Sequence, residues 1–363
     1  MSAPGVPPAQ GERYASSSAA AATGGQASGE GDADTSAPAA ERMPDPPAAG
    51  RMPDFFIIGH EKCGTTALYK MLRRHPQIFM PDRKEPRFFS SDLRSAAANQ
   101  NPGKAQLRTL EEYLALFAPA APGQLTGEAS PQYIRSPGAA GRIAELQPDA
   151  RIIAILREPA SFLYSFHGQC VHSGLETERN LLKAMALEDE RRQGRSLPSS
   201  SASPSWVMYS EHVRYVEQLR RFHARFPAEQ VLVLIYDDYR RENVESVRGV
   251  MRFLGVDAEG QIEPIVTKGG EMKAVRFMPL HRISRTLNRA RERPQSANPI
   301  ARAVGALAPR PAQVLWKHLV YTRPSAPDER MMLELRRRFK PEVQALSEYL
   351  GRDLVSLWGY DGV

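Results

Sequence analysis

The chain has 363 residues, 42% of them hydrophobic and 25% charged, a globular composition with room for one large domain or two small ones. Its two cysteines, Cys63 and Cys170, exclude a disulfide framework and a cysteine metal cluster, which fits a reducing compartment. The net charge of +7 favours anionic partners without singling out nucleic acid, and no apolar run reaches the length of a membrane span.

Residues 1–52 are dominated by Ala, Gly, Ser and Pro, with too few bulky apolar side chains to offset the entropy of ordering, so a disordered tail is expected there. Its charges are mixed in sign, unlike a transit peptide, and it lacks the apolar core of a signal peptide. A soluble, cytoplasmic protein with one α/β domain over residues 53–363 is the expectation.

The first apolar run, Phe55 to Ile58, predicts a strand buried on both faces, as in a parallel sheet covered by helices. Gly59 and Gly64 then bracket a short loop, and Thr65-Thr66 opens a helix whose Leu68, Met71 and Leu72 share a face before His75-Pro76 stops it. A strand, a Gly-bounded loop and a helix make a phosphate cradle, because successive backbone N–H groups and the helix dipole point at one anion. The glycine spacing matches a kinase-type P-loop, but Thr65 stands where its lysine belongs and Lys62 lies inside the loop instead.

Gln77 to Met80 reads as a short strand leading into Arg83-Lys-Glu-Pro-Arg-Phe-Phe89. Helices are expected near Thr109 to Phe117 and Gly138 to Leu146, with the segment Gly127-Glu-Ala-Ser-Pro-Gln-Tyr133 between them. Ile152 to Leu156 is a second fully apolar strand. A nucleotide triphosphatase would usually end such a strand in a magnesium-holding Asp; this one ends in Arg157, whose planar fork of donors suits a phosphate directly. On the following helix Phe162, Phe166 and Cys170 form a core stripe, leaving Ser161 and Ser165 off it. Glu176 to Arg195 reads as a charged helical excursion, 196–205 as a low-complexity loop, and Trp206 to Phe226 as one helix. A strand from Val231 to Ile235, a helix from Val244 to Leu254 and a last helix from Asp328 to Tyr349 complete the reading.

His60-Glu-Lys-Cys-Gly-Thr-Thr66, between a strand and a helix, resembles the 5'-phosphosulfate loop of the sulfotransferase family. Arg157, with Ser165 eight residues later, is similar to its second motif, and Leu350-Gly-Arg-Asp-Leu354 with Trp358 resembles its usual ending. The resemblance implies a three-layer P-loop-like fold with a central parallel sheet flanked by helices. It also implies a donor, 3'-phosphoadenosine 5'-phosphosulfate (PAPS), and no required metal. By that resemblance Lys62, Cys63, Gly64, Thr65 and Thr66 hold the 5'-phosphosulfate, Arg157 and Ser165 hold the 3'-phosphate, and Lys268-Gly269 closes over it, with Arg276 a competing candidate. In the branch resembling heparan sulfotransferases a Glu at the place of Glu85 takes the acceptor proton; the alternative is a surface carboxylate paired with Lys84 or Arg87. Gly127 to Tyr133 resembles the family's acceptor-lining segment, with Glu128 a second carboxylate candidate and Ala129 where that branch often has Lys. The resemblance implies an acceptor that is a small molecule or a glycan and that receives the sulfuryl group on a hydroxyl or an amine. Two alternatives stay open: a kinase or nucleotide triphosphatase with an altered loop, marked by magnesium dependence, and a non-enzymatic anion or nucleic-acid binder, marked by steep salt dependence.

Overall fold

Five parallel strands in the order β2-β3-β1-β4-β5 carry the core. The computed structural model describes residues 51–93, 107–198, 204–260, 262–265, 274–275, 321–322 and 326–363. β1 (Phe55–Gly59) is buried at every residue, and β4 (Arg151–Leu156) at every residue but its first. These two runs without alternation take the centre of the sheet, because a strand covered on both faces must be apolar on both. β2 (Ile78–Phe79) and β5 (Val231–Ile235) flank them from the edges.

β3 (Leu125–Ala129) inserts between β2 and β1, which the sequence did not announce. It carries Gly and Glu where a strand prefers branched or aromatic residues. Gly127 is required by a close approach, since a Cβ there would sit 2.1 Å from the Phe55 ring.

In chain order the described helices are α1 (Thr65–Leu72), α2 (Leu110–Leu114), α3 (Ala139–Leu146), α4 (Pro159–Ser173), α5 (Leu181–Ala186), α6 (Glu188–Arg192), α7 (Tyr209–His212), α8 (Tyr215–His223), α9 (Tyr236–Arg241), α10 (Asn243–Leu254), α11 (Glu329–Leu350) and α12 (Leu354–Leu357). Thr109 caps α2 by accepting from Glu112 N–H, and Asp328 caps α11 by accepting from Met331 N–H. The Phe162, Phe166 and Cys170 stripe of α4 is buried, as its spacing predicts.

One expectation changes. The helix predicted from Trp206 to Phe226 is broken into a short turn, α7 and α8, because Val213 (φ −104°, ψ 26°) and Arg214 (φ −86°, ψ 59°) leave helical space. Gln218 Nε2 donates to the carbonyls of Glu211 and His212 at 3.0 and 3.3 Å, taking up acceptors at the break. The charged excursion from Glu176 to Arg195 carries α5 and α6, as expected, and buries its Glu176 and Arg191 charges. Glu176 is wholly buried and accepts from Arg191 Nη2 at 3.0 Å and Tyr209 Oη at 3.0 Å, with Arg191 Nη1 at 2.9 Å from its other oxygen.

The C-terminal residues return to the carboxyl end of the sheet. Trp358 Nε1 donates to Asp237 Oδ2 at 2.9 Å, and Tyr360 Oη donates to Glu158 Oε1 at 2.6 Å. Both bonds end just beyond the carboxyl ends of β4 and β5; in a parallel sheet of this order the ligand crevice opens next to them, at the carboxyl ends of β1 and β4, where the connections diverge.

Candidate active site

The loop between β1 and α1 is shaped by two residues in left-handed space, Lys62 at φ 69° and Gly64 at φ 88°. Gly64 has no room for a side chain either, because a Cβ would lie 2.8 Å from the Tyr239 ring. The turn leaves a row of donors. Among the described residues no acceptor meets the backbone N–H groups of Lys62, Cys63, Gly64, Thr65 or Thr66, and the first turn of α1 has no side-chain cap. Unpaired N–H groups that converge at a helix N-terminus form an anion site.

His60 anchors the start of the loop, wholly buried with ring centroids 4.9 Å from Phe162 and 5.1 Å from Tyr215. Burial, aided by the charge of Arg135, pushes its pKa down to about 3, so it packs as a neutral ring. Cys63 is buried as well, and burial pushes its thiol up to about 12, which leaves it protonated and unreactive.

Arg157 reaches the same loop from the end of β4. The register pairs Gly59 with Ile155, which sets the two strand ends side by side. Its Nη1 donates to the Lys62 carbonyl at 3.1 Å, its Nε donates to Ser161 Oγ at 3.0 Å, and its guanidinium lies 4.9 Å from the Tyr236 ring centroid. Glu158, the next residue, caps α4 by accepting from Ala160 and Ser161 N–H at 3.1 and 2.6 Å, while Tyr215 Oη donates to the Arg157 carbonyl at 2.9 Å. The backbone carrying Arg157 is therefore held from both sides. Burial and then the charge of Arg157 hold the Lys62 ammonium below its ordinary pKa. Two cations share one cradle, and among the described residues neither pairs with a carboxylate. A bound dianion would relieve both.

Across the crevice, Glu85 and Arg87 both sit at φ 59°, a left-handed conformation that non-glycine residues adopt at a cost. Glu85 N–H donates to Ala129 O and Arg87 N–H to Ser130 Oγ, each at 3.1 Å, so the segment is laid against the end of β3. The Glu85 carboxylate bonds Lys84 through one oxygen and Arg87 through the other, the latter at 2.6 Å. Burial raises the Glu85 pKa, but the two cations outweigh it and hold the carboxyl below its ordinary value. Glu128 is the opposite case. It is 1% exposed, its Oε2 accepts from Tyr113 Oη at 2.9 Å and Tyr133 Oη at 3.3 Å, and burial pushes its pKa up to about 7.

The sulfotransferase domain family matches residues 52–274. The chain belongs to the sulfotransferase family. Human bifunctional heparan sulfate N-deacetylase/N-sulfotransferase 3 is 28% identical to it over 216 residues, which are 57% of this chain and 22% of that protein. The Xenopus laevis bifunctional heparan sulfate N-deacetylase/N-sulfotransferase 1 is 31% identical over 215 residues, with the same coverage of 57% and 22%. The chain thus spans 22% of the length of these relatives. The crystal structure of a sulfotransferase from Alicyclobacillus acidocaldarius superposes with a TM-score of 0.61 at 25% identity, covering 85% of this chain and 99% of that one. Sulfotransferases take PAPS as the sulfuryl donor.

In this sulfotransferase Lys62, Cys63, Gly64, Thr65, Thr66 and Arg157 come together, although Arg157 is 95 residues from Lys62 in sequence. Ser161, rather than Ser165, is the hydroxyl that meets Arg157; Ser165 is one turn further along α4 and half-buried. Lys268, Gly269 and Arg276 lie outside the described residues. Glu85 is paired with Lys84 and Arg87, the second of its two sequence readings, and its N–H donates to Ala129 O at the end of β3. Sequence reasoning missed Tyr236 and Glu158. Glu158 could have been found, since Glu-Pro before an apolar stripe is a helix-start signal with proline at the first helical position. Tyr236 carried no local signal. Among the described residues no helix is long and apolar enough to cross a membrane.

Proposed function

We propose that this enzyme moves a sulfuryl group from PAPS to a hydroxyl or amine of a sugar-bearing acceptor, with the residues named above in defined roles. The backbone N–H groups from Cys63 to Thr66 and the Lys62 ammonium take the 5'-phosphosulfate. Lys62 stabilises the charge that grows on the bridging oxygen as the sulfur–oxygen bond breaks. Arg157 and the α4 hydroxyls, Ser161 and Ser165, take the 3'-phosphate. Glu85 accepts the acceptor proton as the new bond to sulfur forms.

The observation that carries this reading is the meeting of Arg157 with the loop through the Lys62 carbonyl, in a cradle whose N–H groups have no acceptor among the described residues. Glu85 is preferred to Glu128 as the base because its carboxyl is partly exposed and held ionised, whereas Glu128 is sealed under two tyrosines. A sugar-bearing acceptor is supported by the likeness to heparan sulfate N-sulfotransferase domains. A cytoplasmic location is supported by two free, buried cysteines, which a reducing compartment preserves.

Calorimetric titration with 3',5'-adenosine bisphosphate, beside AMP and magnesium ATP, tests the donor site in the wild type and in Arg157→Ala. Preference for the bisphosphate that is lost in Arg157→Ala is the expected result. Tighter binding of magnesium ATP, or equal binding by wild type and variant, would overturn the assignment.

A further inference from the structure

The sheet register pairs Leu156 with Ile235, so the turns that follow β4 and β5 lie side by side and Arg157 comes to stand against Tyr236. Each turn is held by a residue from the segment after α12. Trp358, which is buried, donates through Nε1 to Asp237 Oδ2 at 2.9 Å, and Tyr360, wholly buried, donates through Oη to Glu158 Oε1 at 2.6 Å. Gly359 between them turns the chain at φ 71°, and Tyr360 N–H donates to the Val355 carbonyl at 2.8 Å. The backbone that carries the two rings is therefore itself held against α12.

From each of these bonds a short path of contacts leads to Arg157. Glu158 accepts from Tyr360 and Ala160 N–H through Oε1 and from Ser161 N–H through Oε2. Ser161 Oγ donates to the Glu158 carbonyl at 3.2 Å and accepts from Arg157 Nε at 3.0 Å, so the carboxylate that Tyr360 fixes also fixes the hydroxyl that meets Arg157. On the other side Asp237 follows Tyr236, whose ring centroid lies 4.9 Å from the guanidinium. Arg157 spends Nε on Ser161 and Nη1 on the Lys62 carbonyl, and among the described residues no acceptor meets its Nη2. A guanidinium recognises phosphate through the geometry of a planar fork, so affinity depends on how firmly that plane is held before the ligand arrives.

Resting on the assignment of Arg157 to the 3'-phosphate, we propose that Trp358 and Tyr360 are positioning residues for donor recognition. They fix the Glu158–Ser161 turn on one side of Arg157 and the Tyr236–Asp237 turn on the other, and so set the plane of its guanidinium toward the 3'-phosphate. Both act through Arg157 and not by contact with the donor.

Calorimetric titration of the whole chain with 3',5'-adenosine bisphosphate and with AMP gives the ratio of the two affinities, which reports the 3'-phosphate contact alone. Tyr360→Phe removes one hydroxyl and keeps the ring. It should lower the ratio about tenfold and leave AMP affinity unchanged, because the loss of one hydrogen bond to a charged group is a change of that order. Asp237→Ala removes the acceptor of Trp358 and should lower the ratio by a similar factor, whereas Asp237→Asn loses the same charge, keeps an acceptor oxygen and should retain the ratio. A wild-type ratio in Tyr360→Phe or in Asp237→Ala overturns the proposal. So does an equal fall for AMP and the bisphosphate, which is what a merely structural role would give, and so does a loss in Asp237→Asn as large as in Asp237→Ala. Should Tyr360→Phe fail to fold, the two Asp237 variants decide alone by the same criteria. A wild type that does not prefer the bisphosphate to AMP would instead strike at the assignment of Arg157, so the two failures are distinguishable.

Discussion

Replacing Glu128 by Gln should make the protein less sensitive to pH between 5 and 8. The carboxyl is 1% exposed, two tyrosine hydroxyls donate to one of its oxygens, and burial pushes its pKa up to about 7 in the fold. In the unfolded chain the same group titrates near its ordinary value of 4.5. The folded state therefore holds the proton more tightly, and across the window from 4.5 to about 7 it binds more protons than the unfolded state. The sign follows: Glu128 contributes most to stability at low pH, and that contribution is lost as pH rises through the folded pKa. Integrating a shift of this size between pH 5 and pH 8 gives a loss of about 2.5 kcal/mol from this one group. Gln keeps the acceptor for the tyrosines and cannot ionise. Equilibrium urea unfolding of wild type and Glu128→Gln at pH 5, 6, 7 and 8 measures the difference, which should shift the relative midpoints by about 1 M over the range. Parallel stability curves for the two proteins would refute the placement of a proton on Glu128.

The pH profile of turnover separates the two carboxylates. With Glu85 as base, kcat/KM stays flat on the acid side down to below the ordinary Glu range, because Lys84 and Arg87 hold that carboxyl ionised; with Glu128 as base the acid limb would fall through about pH 7. Gly64→Ala should weaken bisphosphate binding at least tenfold by calorimetry, since it combines a left-handed φ of 88° with a Cβ 2.8 Å from Tyr239. The cost of the backbone conformation alone is about 1–2 kcal/mol. Arg191→Met strands the wholly buried Glu176 carboxylate and should destabilise the fold by about 3–5 kcal/mol in urea unfolding, and an effect under 1 kcal/mol would show that the pair is dispensable.

The sequence by itself determined the centre of the molecule. Phe55 to Ile58 and Ile152 to Leu156 are apolar without alternation, and only a strand covered on both faces tolerates that, so both strands and the parallel sheet were legible. The glycines that bracket the loop announced its turn for the same local reason, that few residues adopt such backbone angles without cost. Arg157 was legible because it ends an apolar strand where a magnesium-binding protein would usually carry Asp.

Tertiary structure decided what depends on residues distant in sequence. β3 is a strand because Gly127 lets the Phe55 ring approach, which no property of Gly127 to Tyr133 announces. In sequence Glu176 and Arg191 belong to a charged helical excursion with no sign of burial; Tyr209 and the Val207 carbonyl close around them in the fold, since a charge can be buried only where partners from other segments neutralise it. Two glutamates of one residue type are held on opposite sides of the ordinary pKa, Glu85 below it by two cations and Glu128 above it by burial. That difference is a property of their neighbours, and a linear sequence does not state who the neighbours are.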